Sequence, residues 1–399
     1  MIGILSTFLL GLCLMIPAGS AENRRISVGV PLPLTGPKAG FGKMHHQSYL
    51  MALEEINNSG GLRRGTYARY QLEFLFDDTL GKADTGRKVV EKLISKNKVP
   101  IVMGGYSSAV AAAIAKVCEQ NKTPFLSPSA AAEEITQNRW KYTFRINAPA
   151  NDYVTGLQEF LLSAVRPGSM AILYENTHFG SSTGKAMRLW CEENRVDVVM
   201  FEPYKPWAAD FRGLLSMLYA LNPEVIFTTA RLADAILLVK QMTELNIRPQ
   251  LLAGSAGTFA MPAFIQRVGV LSDNLVSAAL WVPNVKYAGA EKFARRYRGK
   301  YGTEPDYHGA QAYAAAYLCR DVLERTKSLE ANSLLIALKD TNMMTVLGPV
   351  KFVSYEKYRN QNRLPTLVVQ IQNGKPVTIW PPGAATAGFI NPAGAWYQR

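Results

Sequence analysis

The chain has 399 residues, 48% of them hydrophobic, and a formal net charge of +13. It is too long for one ordinary core, so two domains are expected. The charge would suit nucleic acid, but the basic residues are dispersed, and the one modest cluster, Arg295-Arg296-Tyr297-Arg298, reads as a solvated helix face.

From Ile2 to Ile16 the chain is apolar and uncharged, and Ala18-Gly19-Ser20-Ala21 then precedes Glu22-Asn23-Arg24-Arg25. An apolar run closed by small residues at Gly19 and Ala21 reads as a cleavable signal peptide over 1–21, although the usual basic residues at its start are missing. The run is short for a membrane span. Cys13 follows Leu12 rather than a small residue, which argues against a lipoprotein anchor. No later stretch approaches ~18 uninterrupted apolar residues. A soluble, periplasmic protein is expected, and export further disfavours a nucleic-acid partner. Cys118, Cys191 and Cys319 remain after cleavage. An odd number of widely spaced cysteines in apolar helical contexts reads as buried thiols.

Beyond the signal, strand and helix alternate. Ile26–Leu34 alternates like a strand and ends in the turn Thr35-Gly36-Pro37; Met44–Ile56 is helical and stops at Asn57-Asn58-Ser59-Gly60-Gly61. Tyr70–Asp77 is a strand and Asp84–Lys96 a helix. The next stretch, 101–136, reads as strand, Gly-Gly-Tyr-Ser-Ser turn, Ala-rich helix, strand at Pro124–Leu126, then Ser-Pro-Ser into another helix. Such an alternation is the mark of a doubly wound parallel sheet. The rhythm restarts at Met170–Tyr174 with its helix Gly180–Asn194, and continues through Val225–Thr228 and Leu251–Gly254 to Leu275–Leu280. Gly289–Tyr301 and Gly309–Arg325 read as outer-layer helices. Gly348–Val353, Leu367–Gln372 and Val377–Trp380 carry hairpin signals, with Asn373-Gly374 as a tight turn. From Pro381 the composition suggests a loose tail, with Phe389, Trp396 and Tyr397 as anchors.

In open α/β sheets, ligands bind at the carboxyl ends of the strands. The two turns of 101–136 place the hydroxyls of Tyr106, Ser107, Ser108, Ser127 and Ser129 there, beside helix N-termini that favour an anion. A serine before a helix can equally be a simple cap. Catalytic signals are sparse. His45 and His46 are adjacent, so they cannot chelate one metal from one helix face. His178 and His308 stand alone as polar wall residues. Ala253-Gly254-Ser255-Ala256-Gly257 lacks the first glycine of a nucleophile elbow, and no phosphate-binding or dinucleotide fingerprint follows a strand. The expectation is a non-enzyme without cofactor or metal.

Seven pieces in order carry a resemblance: VGVPLPLTGPKAGFG at 28–42, ALEEINNSGGL at 52–62, GGYSS at 104–108, PFLSPSAAAEEIT at 124–136, FRINAPANDYVTG at 144–156, AILYENTHFGSSTG at 171–184 and DFRGLLSML at 210–218. Over nearly all of the mature chain, the sequence resembles the leucine/isoleucine/valine-binding family of periplasmic ABC-transporter solute-binding proteins. The resemblance implies the type I periplasmic binding fold, an α/β architecture of two doubly wound parallel-sheet lobes joined by three crossover segments. On that pattern the N-terminal lobe is 22–146 plus 280–347, the C-terminal lobe 147–279 plus 348–380, and the tail 381–399. Crossovers fall near Arg145–Pro149, Ala278–Pro283 and Leu347–Val350.

The resemblance implies capture of an amino acid or other small carboxylate between the lobes, and delivery to the permease of an ABC importer. A ligand-sensing regulatory protein on the same fold is the alternative, and a monomer is expected. The positions matching the carboxylate-binding turns are Ser107 and Ser108, with Ser129, Ala130 and Ala131 on the next turn. Phe179 matches an aromatic covering the ligand, and Phe41 a position at the cleft rim. Two departures stand out. Ser255 sits where an acidic residue commonly meets the ligand's ammonium, and Arg231 sits where an aromatic is frequent. With both positions inward, the loss of a carboxylate and the gain of a guanidinium make the cleft more cationic by two charges; an inward Arg231 would need an anionic partner, and an outward one would rest in solvent. A ligand that carries a carboxylate and depends less on an α-amino group follows, with branched-chain amino acids still open.

Overall fold

The structure, a computed structural model, describes residues 24–255 and 257–391. The expected signal segment, Trp396 and Tyr397 lie outside the described residues. A first run comprises β1 (Arg25–Leu32), α1 (Ala39–Asn58), β2 (Gln71–Asp78), α2 (Ala83–Ser95), β3 (Val102–Met103), α3 (Ser108–Gln120), β4 (Phe125–Ser127), the single-turn α4 (Glu134–Gln137) and β5 (Thr143–Arg145). A second run follows: α5 (Thr155–Phe160), β6 (Ser169–Glu175), α6 (His178–Glu193), β7 (Asp197–Tyr204), α7 (Arg212–Leu221), β8 (Val225–Thr228), α8 (Leu232–Glu244), β9 (Leu251–Gly254), α9 (Pro262–Val268) and β10 (Val276–Ala279). The remainder is α10 (Ala290–Tyr301), α11 (Tyr307–Arg325), α12 (Ala331–Lys339), β11 (Asn342–Thr345), β12 (Gly348–Tyr355), β13 (Tyr358–Asn362), β14 (Leu367–Gln372) and β15 (Lys375–Trp380).

Each run builds one lobe. The first sheet has the order β11-β12-β13-β5-β4-β3-β1-β2, and the second β15-β14-β10-β9-β8-β6-β7. Pairing is parallel within the alternating runs and antiparallel among β11, β12 and β13 and between β14 and both its neighbours. Ile26, Val28, Val30 and Leu32 are all buried along β1, while α1 buries His45, Tyr49, Ala52 and Ile56, three or four residues apart on one face. Asn373 and Gly374 both take positive φ, the pairing a two-residue hairpin turn requires, and join β14 to β15.

The chain passes between sheets after β5, after β10 and between β13 and β14. The third passage corrects the expectation from sequence. Strands 348–362 are hydrogen-bonded into the first sheet through the β13–β5 pair, so the crossover falls at 363–366 rather than at Leu347–Val350. Its cause is polar. Arg145, fully buried, donates from Nε to Gln361 Oε1 (2.5 Å), from Nη1 to the Ala132 carbonyl (2.6 Å) and from Nη2 to Thr136 Oγ1 (2.7 Å). Gln361 Nε2 donates to the Asn147 carbonyl (2.6 Å), and Asn362 Nδ2 to that of Ile146 (2.9 Å). β13 is thus tied to the first crossover by polar side chains that carry no strand pattern in the sequence.

The tail to Asn391 is not loose. Ile390 donates its N–H to Gln370 Oε1 (3.0 Å), and Phe389 meets Phe160 edge-on at 4.9 Å. Cys118, Cys191 and Cys319 are buried free thiols. No helix among the described residues is long and apolar enough to cross a membrane.

Candidate functional site

A cavity lies between the carboxyl edges of the two sheets, at the turns after β3, β4, β6 and β8. The first turn depends on Gly104, where φ is +146° and a Cβ would stand 2.7 Å from the Pro31 carbonyl oxygen of β1. Only glycine permits that approach, and it sets Tyr106, Ser107 and the start of α3 over the cleft. Ser107 is the residue before α3, yet its hydroxyl does not cap the helix; Oγ is buried and has no partner among the described residues.

Tyr106, Ser107, Ser108, Ser129, Ala131, Tyr153, Phe179, Arg231, Tyr307 and His308 line a space of about 330 Å³, open solvent included. Seven of the eleven residues expected from sequence are among them. Phe41 stacks on Tyr106 (centroids 4.6 Å, planes 12° apart) and lines an adjoining groove instead. Ser127, Ala130 and Ser255 do not line this cavity. Ala130 packs in the apolar cluster with Val110 and Ile114, and Ser127 and Ser255 are buried hydroxyls without partners among the described residues. Phe179 lies within the first turn of α6, edge-on to Tyr153 at 5.4 Å, with the Arg231 guanidinium 5.7 Å from its ring.

Arg231, the residue before α8, faces the cavity, and its anionic partner is the protein's own Glu175. Arg231 Nε lies 2.8 and 2.9 Å from the two carboxylate oxygens of Glu175, which is fully buried at the end of β6. Burial acts to lower the guanidinium pKa, but Glu175, then Tyr106 and Tyr307, more than offset it, and the net shift is upward. A cleft two charges more cationic is therefore corrected, because Glu175 cancels Arg231. Lys38 lies close enough that, after burial, Arg231 lowers its pKa while Glu175 raises it. Glu175 was missed although it sits inside AILYENTHFGSSTG; the need of an inward Arg231 for a counter-charge was the signal. His45, Tyr153, Tyr307 and His308 were also missed as site residues.

The direction of each hydroxyl follows from partners that can play only one role. Arg231 Nη1 donates to Tyr106 Oη (3.0 Å), leaving that O–H as a donor. Ser108 Oγ accepts from the N–H groups of Ala131 (3.3 Å) and Ala132 (3.1 Å), so its own hydrogen is free. Asn147 Nδ2 donates to the Ser129 carbonyl (2.7 Å), which fixes the amide's orientation, and also to Tyr153 Oη (2.7 Å). Burial raises the pKa of Tyr106, and that of Tyr153 to about 12, so both keep their protons. The cavity thus carries the O–H donors of Tyr106, Ser108 and Tyr153 and the unpartnered Ser107 hydroxyl, together with Arg231, whose Nη2 has no hydrogen-bond partner among the described residues. Such a wall suits an acceptor-only anion.

The lobes are closed on one another. The Arg231–Tyr106 bond spans the cleft, and His178 Nδ1 of α6 lies 3.2 Å from Glu134 Oε1 of α4 at its rim.

Comparison with known proteins agrees with this architecture. Leu/Ile/Val-binding protein homolog 7 of Brucella melitensis is 24% identical over 394 residues, covering 94% of this chain and 96% of that protein. Two solved structures share the fold. One is a branched-chain amino acid transporter substrate-binding protein from Streptococcus pneumoniae in complex with isoleucine (TM-score 0.78, 19% identity, 89% of this chain and 100% of that one). The other is an ABC-transporter solute-binding protein from R. palustris in complex with benzoate (TM-score 0.79, 16% identity, 92% and 98%). A family model described as periplasmic binding protein matches residues 25–376. Two α/β lobes closing on a donor-lined cleft, and a match along nearly the whole chain, make this protein a member of the periplasmic binding protein family.

Proposed function

We propose that the chain is a periplasmic receptor, exported by its N-terminal segment, that closes on a small carboxylate and delivers it to an ABC importer. The observation that carries the ligand class is the polarity of the wall: Tyr106, Ser108 and Tyr153 each accept from the protein and so offer hydrogens to the cavity. A carboxylate accepts and cannot donate, so it matches this arrangement. Aromatic rings at Tyr106, Tyr153, Phe179 and Tyr307 supply apolar walls for its body. The isoleucine and benzoate bound by the two structural neighbours are both carboxylates.

Binding, rather than turnover, is the activity these groups favour. Ser129 Oγ and His45 Nε2 stand 2.5 Å apart, the spacing of a nucleophile and its base. Burial, and after it the neighbouring His308, hold the imidazole down to about 4, too weak a base to remove a serine proton near neutrality. A thermal-shift panel tests the reading. Aliphatic and aromatic monocarboxylates are expected to raise Tm, a ligand at ~100 times its Kd giving ~2.7 kcal/mol. Shifts confined to sugars, polyamines or metal ions would refute it.

A further inference from the structure

We propose that His45 fixes Ser129 as a hydrogen-bond acceptor facing the cavity, and so selects acids that carry a hydroxyl beside the carboxylate. The inference rests on the carboxylate reading and narrows it. His45 lies in α1 with no exposed surface, and its Nδ1 is 2.8 Å from the Phe41 carbonyl oxygen. A carbonyl only accepts, so Nδ1 carries the proton. In the neutral ring Nε2 is then a bare lone pair, and the 2.5 Å contact with Ser129 must be donated by the serine. The ring is held neutral by burial and by His308.

With its hydrogen given to His45, Ser129 Oγ offers only lone pairs to the cavity. It lines the cavity together with the donors on Tyr106, Ser108 and Tyr153, so a ligand meets both polarities at once. A hydroxyl suits this acceptor better than an ammonium. Ser129 and His45 are neutral, and the two carboxylates near the cavity are already engaged: Glu175 by Arg231 and by the Thr177 hydroxyl (2.9 Å), and Asp306 by the His308 N–H (2.8 Å). An ammonium would lie near the Arg231 charge without a free counter-ion.

Two matched sets test this by calorimetry: phenylacetate, both enantiomers of mandelate, and phenylglycine; and 4-methylpentanoate, 2-hydroxy-4-methylpentanoate and leucine. The hydroxy acid of at least one set is expected to bind about tenfold or more tighter than its deoxy partner, one retained hydrogen bond to a group otherwise left unpaired. In His45→Phe the ratio is expected to fall toward one while the deoxy acid still binds; a merely structural role would weaken both members alike. Ser129→Ala is expected to lose the preference in the same way. Equal binding of hydroxy and deoxy acids in wild type overturns the acceptor assignment and leaves the carboxylate reading standing, as does tighter binding of the amino acids. Failure of every acid in the thermal panel overturns both. A ligand-free check uses side-chain nitrogen shifts of ¹⁵N-histidine-labelled protein. A pyrrole-type Nδ1 and pyridine-type Nε2 are expected for His45 near pH 7, and an Nε2–H tautomer or an imidazolium would refute the proposal.

Discussion

Single residues set the chemistry of the cleft through their partners more than through their identity. Arg231 is a case in point, since Glu175 balances its charge and holds its plane. Removing one member of a buried pair costs about 3–5 kcal/mol, but the Arg231 side chain is 31% exposed, so about 2 kcal/mol is expected for Arg231→Met. The double variant with Glu175→Gln should recover part of that loss in urea unfolding. A loss in the double variant equal to the sum of the two single losses would show that the pair is not coupled. Phe179→Ala removes an apolar contact from the cavity wall and should weaken binding of the best acid by ~1–3 kcal/mol with the fold retained. Unaltered affinity would place the ring outside the binding surface.

His45 gives a pH signature at the same scale. Its folded pKa, lowered to about 4 by burial and by His308, lies below the ordinary histidine value of 6.5. Between those values the unfolded chain binds the proton and the native state does not, so stability is full above pH 6.5 and falls as pH drops toward 4. From pH 7.5 to 4.5 this one group should remove about 2–3 kcal/mol. Subtracting the same difference for His45→Phe isolates it from carboxylates that titrate in this window. An identical pH dependence in the two proteins would contradict the buried neutral imidazole.

At the scale of elements, periodicity shows what packs and misses what is polar and buried. β1, β8, β9 and α8 are plain in the sequence because burial of one apolar face or of a whole apolar strand dictates them. β13, Tyr358-Arg359-Asn360-Gln361-Asn362, carries no apolar strand pattern, yet Asn360, Gln361 and Asn362 are buried and bond to the backbone of β5 and the first crossover. Its strand character comes from tertiary hydrogen bonds that no local pattern records, and the third crossover was misplaced with it. In the site, Ser108, Ser129 and Phe179 could be read from turn position and resemblance. Glu175 and His45 could not, because their role depends on Arg231 and Ser129 arriving from distant strands. Gln361→Ala should leave the Arg145 Nε–H unpaired in a dry site and cost about 2–3 kcal/mol in urea unfolding with an unchanged m value. A change below about 0.5 kcal/mol would show that water replaces the amide.

The whole molecule is two sheets joined by three short passages, a geometry that hinges about a cleft. The closed arrangement is held by few direct bonds between lobes, among them Arg231–Tyr106 and His178–Glu134. The ligand's own contacts therefore supply the difference between open and closed states. Small-angle scattering should show a smaller radius of gyration once calorimetry confirms saturation with the best acid, and an unchanged radius would argue against closure. The central claim is that hydroxyl hydrogens aimed into the cleft select a carboxylate, and titration calorimetry of the best acid against its amide tests it most directly. The acid is expected to bind at least about tenfold tighter than the amide, and Ser108→Ala to narrow that gap. Equal affinity for acid and amide, unaltered in Ser108→Ala, would contradict it.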